Sequence, residues 1–299
     1  MTENKTLSDN LRGSLWMIAS MAGFAVEDAF VKAAAVQLPV GEVLMIFGLG
    51  GAIVFGFMAY IRNERLFTAD VVSRTMRIRV VFEFVGRLFY VLALAMTPLS
   101  STTAILQATP IIVVLGAAVF FGEKVGWQRW AAIIVGLLGV LVILRPSSDS
   151  FSWLSMLAVI GMLGFAGRDL ASRAAPLSLS TSILGLYGFL TIVLAGACYS
   201  LWEGRALSIP DVKVSAFMLG AIVMGVFAYS SLMKAMRTGE VSAVTPYRYT
   251  RLLFGLSLGV LLFGETLDLP MIIGCLLVVF SGLSLLLPGF RRSGITIPE

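Results

Sequence analysis

Charged side chains lie inside otherwise apolar stretches of this chain, and one such stretch occurs twice. Residues 23–34 read GFAVEDAFVKAA and residues 164–175 read GFAGRDLASRAA, an offset of 141 positions. In both copies an acid precedes a base by four residues, in the pairs Asp28 with Lys32 and Asp169 with Arg173. Residues at this spacing share one helix face, where they can neutralise each other or act on a charged solute. The pattern leaves both possibilities open, and it makes Asp28, Lys32 and Arg173 candidate gating residues.

A third charged set lies on one face of another apolar segment. Glu83, Arg87 and Tyr90 occupy positions i, i+4 and i+7, which line up along a helix. An acid placed before a base favours an intrahelical pair, which would only help the helix enter a membrane. A binding role for these residues is an equally open alternative.

Depth in the membrane adds a further argument. At a rise of about 1.5 Å per residue, six charged residues fall in the same half of the membrane: Glu83, Arg87, Arg168, Asp169, Arg248 and Arg251. Four bases there face two acids, so we expect a surplus of positive charge that can hold a substrate carboxylate. A substrate ammonium group would meet Glu83 or Asp169. The candidate substrate-binding residues are Glu83, Arg87, Tyr90, Gln107, Asp169, Arg248 and Arg251.

The composition excludes most other classes of protein. Hydrophobic residues make up 58% of the chain and charged residues 13%, with a mean hydropathy of +0.94. Soluble domains carry about 25% charged residues, so we predict a polytopic membrane protein with the lipid bilayer as its partner. The net charge of +5 resides mostly in short loops and does not indicate nucleic-acid binding. The chain has no histidine and two widely separated cysteines, so we expect no metal, no cofactor and no disulfide framework.

Ten apolar segments, each close to the length that a bilayer requires, predict the fold class. They are 13–35, 40–61, 79–97, 101–121, 127–144, 152–172, 178–201, 213–235, 242–263 and 270–288. We predict an all-α integral membrane protein with ten transmembrane helices and short tails at 1–11 and 289–299. The longest loop, about 62–78, can hold one amphipathic turn on the membrane surface.

The duplication divides these ten segments equally. Gly122-Glu123 matches Gly264-Glu265 at an offset of 142, which extends the similarity of the two copies. We predict two five-helix repeats, 12–145 and 151–288. Because five is odd, the second repeat enters the membrane from the opposite side, so the repeats are inverted. Inverted repeats are typical of transporters that work by alternating access.

The distribution of basic residues predicts the orientation. With a cytoplasmic amino terminus, fourteen bases, Arg79 among them, lie in cytoplasmic segments and four at the other side. This asymmetry satisfies the positive-inside rule. We therefore expect both termini to be cytoplasmic in a bacterial-type inner membrane.

The polar residues and two prolines indicate which helices carry function. Charged or polar groups concentrate in helices 1, 3, 4, 6, 8 and 9, which we expect to line a central cavity, leaving helices 2, 5, 7 and 10 to face lipid or neighbours. Pro110 and Pro246 lie inside the symmetry-related helices 4 and 9. A proline removes a backbone hydrogen bond, so both are candidate hinges. Pro246 can instead lie in a first helical turn, where proline is well tolerated.

Helices 3 to 5 resemble a known family. The stretch 92–144, LALAMTPLSSTTAILQATPIIVVLGAAVFFGEKVGWQRWAAIIVGLLGVLVIL, is similar to the EamA-type branch of the drug/metabolite transporter superfamily. The resemblance covers about 12–288, although the second copy has no proline at the position equivalent to Pro110. It implies a ten-helix inverted-repeat transporter, usually an exporter of metabolites, with amino acids prominent among its substrates.

We therefore expect a transporter that exports small amphiphilic metabolites, most of all amino acids, as a monomer or weak homodimer. The alternatives are export of drugs, cationic compounds or nucleobase-like metabolites, and less favoured, a channel or a membrane-embedded enzyme. An enzyme would need a catalytic set at membrane depth. The sequence has no HExxH, no serine–histidine dyad and no DDxxD motif.

Overall fold

The chain was studied as a computed structural model, which describes residues 2–121, 127–144, 152–174, 176, 178–238 and 245–284. All regular elements in these ranges are helical. The α-helices are α1 (Thr2–Ala35), α2 (Val40–Ile61), α3 (Arg74–Met96), α4 (Leu99–Leu106), α5 (Thr109–Phe121), α6 (Trp127–Leu144), α7 (Ser155–Arg173), α8 (Thr181–Glu203), α9 (Val212–Thr238), α10 (Thr250–Phe263) and α11 (Leu269–Ser284). Two 3₁₀ helices lie at Ala69–Val72 and Thr245–Tyr249. Each of the ten predicted segments contains helix, which confirms the all-α fold.

Several of these helices can span a membrane. Among the described residues, four candidate spans are long and apolar enough: Leu11–Ala35, Val40–Ile61, Thr181–Glu203 and Val212–Ala235. Shorter apolar helices occur at Leu99–Val113, Ile134–Leu144 and Leu269–Ser281. Helix α1 begins at Thr2, so most of the predicted amino-terminal tail continues the first helix. The predicted tail at 289–299 lies outside the described residues.

The helix ends follow local chemistry. The hydroxyls of Ser73 and Ser180 accept hydrogen bonds from backbone N–H groups in the first turns of α3 and α8, which is the usual N-cap arrangement. Helix α8 ends at Gly204 and α10 ends at Gly264, both left-handed with φ of 65° and 63°. Glycine adopts this conformation without steric cost, so it can stop each helix sharply.

The fourth segment is broken rather than continuous. Helix α4 ends at Leu106, a turn covers Gln107 and Ala108, and α5 begins at Thr109. Pro110 therefore lies in the first turn of α5, where its missing N–H is not needed. The free carbonyl of Leu106 accepts the hydroxyl of Thr109 at 2.5 Å instead of facing a cavity.

The ninth segment begins in a comparable way. Pro246 lies in the 3₁₀ helix Thr245–Tyr249, directly before α10. This position matches the first-turn alternative. Residues 239–244 lie outside the described ranges. They include Ser242, whose carbonyl would bond to position 246 in a continuous helix.

Helix packing repeats itself between the two halves of the chain. Helix α1 packs on α9 as α7 packs on α3, and α2 packs on α8 while α6 packs on α11. The closest approaches also correspond: a side chain at Gly23 would meet Ala228, and one at Gly164 would meet Gly86. Gly23 and Gly164 are 141 positions apart, and Gly86 and Ala228 are 142 apart. This exchange of equivalent partners is consistent with two inverted repeats around a pseudo-twofold axis.

Small residues let α2 and α8 approach closely. A Cβ added at Gly48 would lie 2.8 Å from the Val193 backbone, and one at Gly41 would lie 2.7 Å from that of Ser200. Gly56 is more open, with Leu186 at 3.7 Å. The two helices thus form a tight seam between the halves, as small residues do in membrane proteins.

Candidate functional site

Asp28 on α1 is the centre of a buried ion pair that joins three helices. Nη2 of Arg251 on α10 donates to its Oδ2 at 2.6 Å, and the hydroxyl of Tyr90 on α3 donates to the same oxygen at 2.9 Å. Arg251 also approaches the Tyr90 oxygen at 3.3 Å. The Asp28 side chain is 1% exposed and that of Arg251 14% exposed. Burial requires such a pair to be hydrogen-bonded as well as charged.

A second buried pair lies beside the first. Nη1 of Arg87 on α3 donates to Oε1 of Glu27 on α1 at 2.9 Å, and the Glu27 side chain is 1% exposed. The Arg87 guanidinium stacks over the ring of Phe47 at 4.9 Å, and that of Arg251 over Phe24 at 5.1 Å. Aromatic faces attract guanidinium groups, so these rings hold both arginines in place. The two pairs and Tyr90 are named the α1 cluster.

The α7 cluster adjoins it along α3 and consists of Arg79, Glu83, Arg168, Asp169 and Arg248. Arg168 approaches Asp169 at 2.9 Å and Glu83 at 3.4 Å. Glu83 also faces Arg79 at 3.7 Å, and Asp169 faces Arg248 at 3.9 Å. Apart from the contact between the adjacent Arg168 and Asp169, these contacts are longer than those of the α1 cluster, and the Arg168 and Asp169 side chains are 27% and 26% exposed. The cluster is therefore a looser network.

Two of the acid–base pairs suggested by four-residue spacing, those of Asp28 and Glu83, are replaced by other partners. Glu83 pairs with Arg79 and Arg168 rather than with Arg87, whose partner is Glu27. Asp28 pairs with Arg251 rather than with Lys32. Arg251 reaches Asp28 and Arg168 reaches Glu83 from another helix. Arg79, one turn before Glu83 on the same helix, also lies 3.7 Å from that carboxylate. Asp169 has Arg168 and Arg248 as partners, while the Arg173 side chain lies outside the described residues.

Lys32 bonds to backbone carbonyls of another helix rather than to a carboxylate. Its Nζ donates to the carbonyls of Leu94 and Thr97, at 3.0 and 2.5 Å, where α3 ends. A cation at this position satisfies free carbonyls and opposes the negative end of the helix dipole. Lys32 thereby ties the end of α1 to the end of α3.

Glu265 makes the complementary contact at the start of α4. Its carboxylate accepts the backbone N–H groups of Leu99 and Ser100 at 2.6 and 2.9 Å, and also binds the Ser100 hydroxyl. An acid at a helix N-terminus satisfies free N–H groups. The Gly-Glu sequence shared by both repeats thus marks a capping contact in the second copy, while Gly122 and Glu123 lie outside the described residues.

Gln107 joins the break in the fourth segment to the start of the ninth. Its Nε2 donates to the carbonyl of Arg248 at 3.2 Å. Gln107 and Arg248 are 141 positions apart, so they are equivalent residues that meet near the pseudo-twofold axis. The break in the fourth segment is therefore in direct contact with the 3₁₀ helix that contains Pro246.

The charge balance differs from the predicted surplus. The two clusters contain five arginines and the four acids Glu27, Asp28, Glu83 and Asp169. Four bases were expected to face two acids, but Glu27 and Asp28 neutralise Arg87 and Arg251, so the surplus is one charge. Within the described residues, no group of acids, cysteines or histidines has a geometry that could hold a metal ion.

Several buried polar atoms in these clusters have no hydrogen-bond partner. In the described part of the chain they include one carboxylate oxygen each of Glu27 and Asp28, and Nε of Arg87, Arg248 and Arg251. Buried donors and acceptors without partners are costly. Donors and acceptors without partners therefore occur in the same two clusters.

A groove of about 550 Å³ lies elsewhere, between α5, α6 and α7. Its lining residues are apolar, among them Leu137, Trp153 and Leu163. The groove offers no charged group to a polar solute. The candidate site is therefore the pair of charged clusters, not this groove.

Sequence reasoning missed several members of the site. Glu27 and Arg168 were recognised as membrane charges but not chosen, because the four-residue spacing selected their neighbours. Arg79 was assigned to a cytoplasmic segment, although it is 4% exposed and its Nε donates to the Ser172 hydroxyl at 3.0 Å. The useful signal was the repeat itself, since Glu27 and Arg168 occupy the same position in the two copies.

Curated relatives match nearly the whole chain. A riboflavin transporter of Vibrio cholerae is 24% identical, covering 91% of both chains. An S-adenosylmethionine uptake transporter of Rickettsia prowazekii is 23% identical over 92% of both, and the pseudopaline exporter CntI of Pseudomonas aeruginosa is 25% identical over 91% of this chain and 95% of its own. These relatives are transporters rather than enzymes.

The fold has a counterpart among solved structures. One, described as "Crystal structure of protein", aligns with a TM-score of 0.58 and 17% identity over 89% of this chain and 97% of that chain. The family described as "EamA-like transporter family" matches residues 11–145 and again 152–287. This confirms the resemblance of residues 92–144, and the chain belongs to the EamA-like transporter family.

Proposed function

We propose that this transporter carries small zwitterionic metabolites of the amino-acid type and exports them. The observation that supports this most is the α1 cluster, in which two acids and two arginines form buried, mutually neutral pairs. Arg87 and Arg251 would bind the substrate carboxylate, and Glu27 and Asp28 would bind its ammonium group.

The argument rests on charge balance during binding. Separating Asp28 from Arg251 leaves two buried charges, and an uncompensated buried charge costs about 3–5 kcal/mol. A zwitterion supplies a new partner to both groups at once. A simple anion or cation would compensate one and leave the other unpaired. Substrates with both charges are therefore favoured over those with one.

The buried atoms without partners point in the same direction. Glu27 and Asp28 each keep a free acceptor, and Arg87 and Arg251 each keep a free donor. A zwitterion can bond to these atoms before the existing pairs separate fully. The α7 cluster, with Glu83, Asp169 and Arg248, would receive the substrate next, since it adjoins the α1 cluster along α3 and is more exposed.

The names of the relatives agree with this substrate class, but they include both uptake and export. S-adenosylmethionine carries an amino-acid head group, and the relative named for it is an uptake transporter. Another relative is named as an exporter. Export of amino acids or amino-acid-derived metabolites by this chain is our proposal, and flux measured in both directions decides it.

A second candidate substrate is a planar heteroaromatic molecule. A relative is named as a riboflavin transporter, and Phe24, Phe47 and Tyr90 surround the two arginines of the α1 cluster. A planar ring can replace a guanidinium on such an aromatic face. Riboflavin therefore belongs in the same assay.

The test is flux into liposomes that contain the purified full-length chain. Amino acids, S-adenosylmethionine and riboflavin are compared, and each amino acid is paired with its methyl ester and its N-acetyl derivative, which keep one charge only. We expect at least about tenfold faster saturable flux for the zwitterion, because a difference of about 1.4 kcal/mol already gives that ratio. If either derivative moved as fast as the parent amino acid, the proposal that both substrate charges replace partners in the buried ion pairs would be contradicted.

Matched variants assign the residues. Arg251→Gln combined with Asp28→Asn removes both charges without leaving one unpaired, and it should abolish the preference for zwitterions. Arg205→Gln is the control, because Arg205 is exposed in a loop and pairs with Glu203. A double variant that keeps the wild-type preference would rule out the α1 cluster as the binding site.

The proposed setting is the inner membrane, with both termini cytoplasmic and the chain acting as a monomer or weak homodimer. Inverted repeats place residues 34–38 and 175–179 on opposite faces. Cysteine labelling from each side, in a background with Cys198 replaced, tests this. Labelling of both segments from the same side would reject the inverted arrangement.

A further inference from the structure

The segment 62–77, which joins α2 to α3 and includes the first turn of α3, has two chemically different faces. On one face Leu66, Val71 and Met76 pack with Leu179, just before the second-half helix α8, and with Ile183 in its first turn. The hydroxyl of Tyr187 also donates to the carbonyl of Leu66 at 3.0 Å. The segment is therefore a firmly held platform across the two halves.

The opposite face is apolar and basic. Phe67 is 86% exposed and Val72 67% exposed, although each directly follows a partly buried residue that packs in the cluster with Leu179. Four arginines on the segment are exposed as well: Arg62, Arg65, Arg74 and Arg77. Alternation of this kind is typical of a segment that lies in a membrane interface.

The acids of the segment are withdrawn from this face. The Glu64 carboxylate accepts the hydroxyl of Ser180 at 2.6 Å, and that of Asp70 accepts the hydroxyl of Ser178 at 2.5 Å. Both bonds point to the second half of the chain. Among the described residues, no acid forms an ion pair with the exposed arginines of this segment. Arg62 instead donates to the Ser182 hydroxyl at 3.4 Å.

We propose that the outward face of segment 62–77 binds the phosphate headgroups of anionic phospholipids. Arg65, Arg74 and Arg77 bind the phosphates, because the guanidinium group matches phosphate geometry, while Phe67 and Val72 enter the acyl region. Since the platform is bonded to Ser178, Ser180 and Tyr187, bound lipid also stabilises the contact between the two halves. This proposal does not depend on the transported substrate.

The test is lipid binding to the purified full-length chain, measured by native mass spectrometry with phosphatidylglycerol or phosphatidylcholine. The wild type should prefer phosphatidylglycerol. Each single substitution, Arg65→Gln, Arg74→Gln or Arg77→Gln, should weaken that binding about fivefold at low salt, as expected for one basic residue at a charged surface. Arg205→Gln, which removes an exposed arginine elsewhere, should leave it unchanged.

Two results would overturn the proposal. One is wild-type affinity for phosphatidylglycerol in the variant that carries all three arginine substitutions. The other is displacement of the lipid by millimolar inorganic phosphate, which would indicate a small-anion site. Phe67→Ser keeps every charge and should also weaken lipid binding. This variant therefore tests the proposal even if the triple arginine variant fails to fold.

Discussion

The two copies of the repeated segment lie in equivalent positions, yet their acids have different surroundings. Asp28 is 1% exposed and is held by Arg251 and Tyr90 from two other helices. Asp169 is 26% exposed, its nearest arginine is the adjacent Arg168, and Arg248 lies 3.9 Å away. The same backbone position thus carries a buried carboxylate held by two other helices in one half, and a partly exposed carboxylate held by its own neighbour in the other.

The difference begins at the residue before the acid. This residue is Glu27 in the first copy and Arg168 in the second. Two adjacent acids require arginines from elsewhere, and α3 and α10 supply Arg87 and Arg251. Arg168 instead neutralises its own neighbour and also reaches Glu83. We infer that the α1 cluster binds the helices together, while the α7 cluster can rearrange at lower cost.

Substitution of Asp28 or Asp169 should give the largest difference in stability between the two copies. Asp28→Asn leaves Arg251 buried without a charged partner, so we expect a loss of about 3–5 kcal/mol in unfolding free energy. Asp169→Asn should cost about 1 kcal/mol or less, because Arg168 keeps Glu83 and the pair is partly exposed. Unfolding by dodecyl sulfate in mixed micelles measures both. Equal losses would show that the two copies are energetically alike.

Double-mutant cycles sharpen the comparison at the level of single pairs. For Glu27→Gln and Arg87→Gln we expect a coupling energy of about 2–3 kcal/mol, since the pair is short and buried. For Glu83→Gln and Arg168→Gln the coupling should be below about 1 kcal/mol, because that contact is longer and shared. The same unfolding assay gives both values. A stronger coupling in the second pair would show that the α7 cluster, not the α1 cluster, binds the helices together.

Packing at the start of each copy provides a smaller effect. An alanine at Gly164 would place its Cβ on the backbone of Gly86, so α7 and α3 must separate, at about 1–3 kcal/mol. Gly23→Ala should cost less, because its Cβ would lie 3.0 Å from the side-chain carbon of Ala228. Gly56→Ala is the control, with its nearest neighbour, Leu186, at 3.7 Å. A larger loss at Gly23 would contradict this order.

The sequence predicts the helices and most residues of the candidate site, but not which of the charged side chains pair with each other. Apolar segments are local signals, so the helices and the polar content of α3 can be read directly. The break before Pro110 was not predicted, because the segment 101–121 is uncharged throughout and Pro110 was expected inside one helix. The partner of Asp28 is 223 positions away, and nothing local to either residue encodes that contact. Four-residue spacing favoured Glu83 with Arg87, and tertiary packing overrode it because α1 brings Glu27 to Arg87. Exposure, which separates the two clusters, likewise depends on the whole fold.

Substitution of the base that ends each copy should have the smallest effect. Lys32→Met removes two hydrogen bonds to the last carbonyls of α3, and we expect a loss of about 1 kcal/mol, typical of a partly exposed cation at a helix C-terminus. Lys213→Met is the control, because its ammonium group only lies over the Phe217 ring at 5.8 Å. The repeat predicts that Arg173→Met costs a similar amount. A loss at Lys32 without one at Arg173 would extend the difference between the two copies from their acids to their bases.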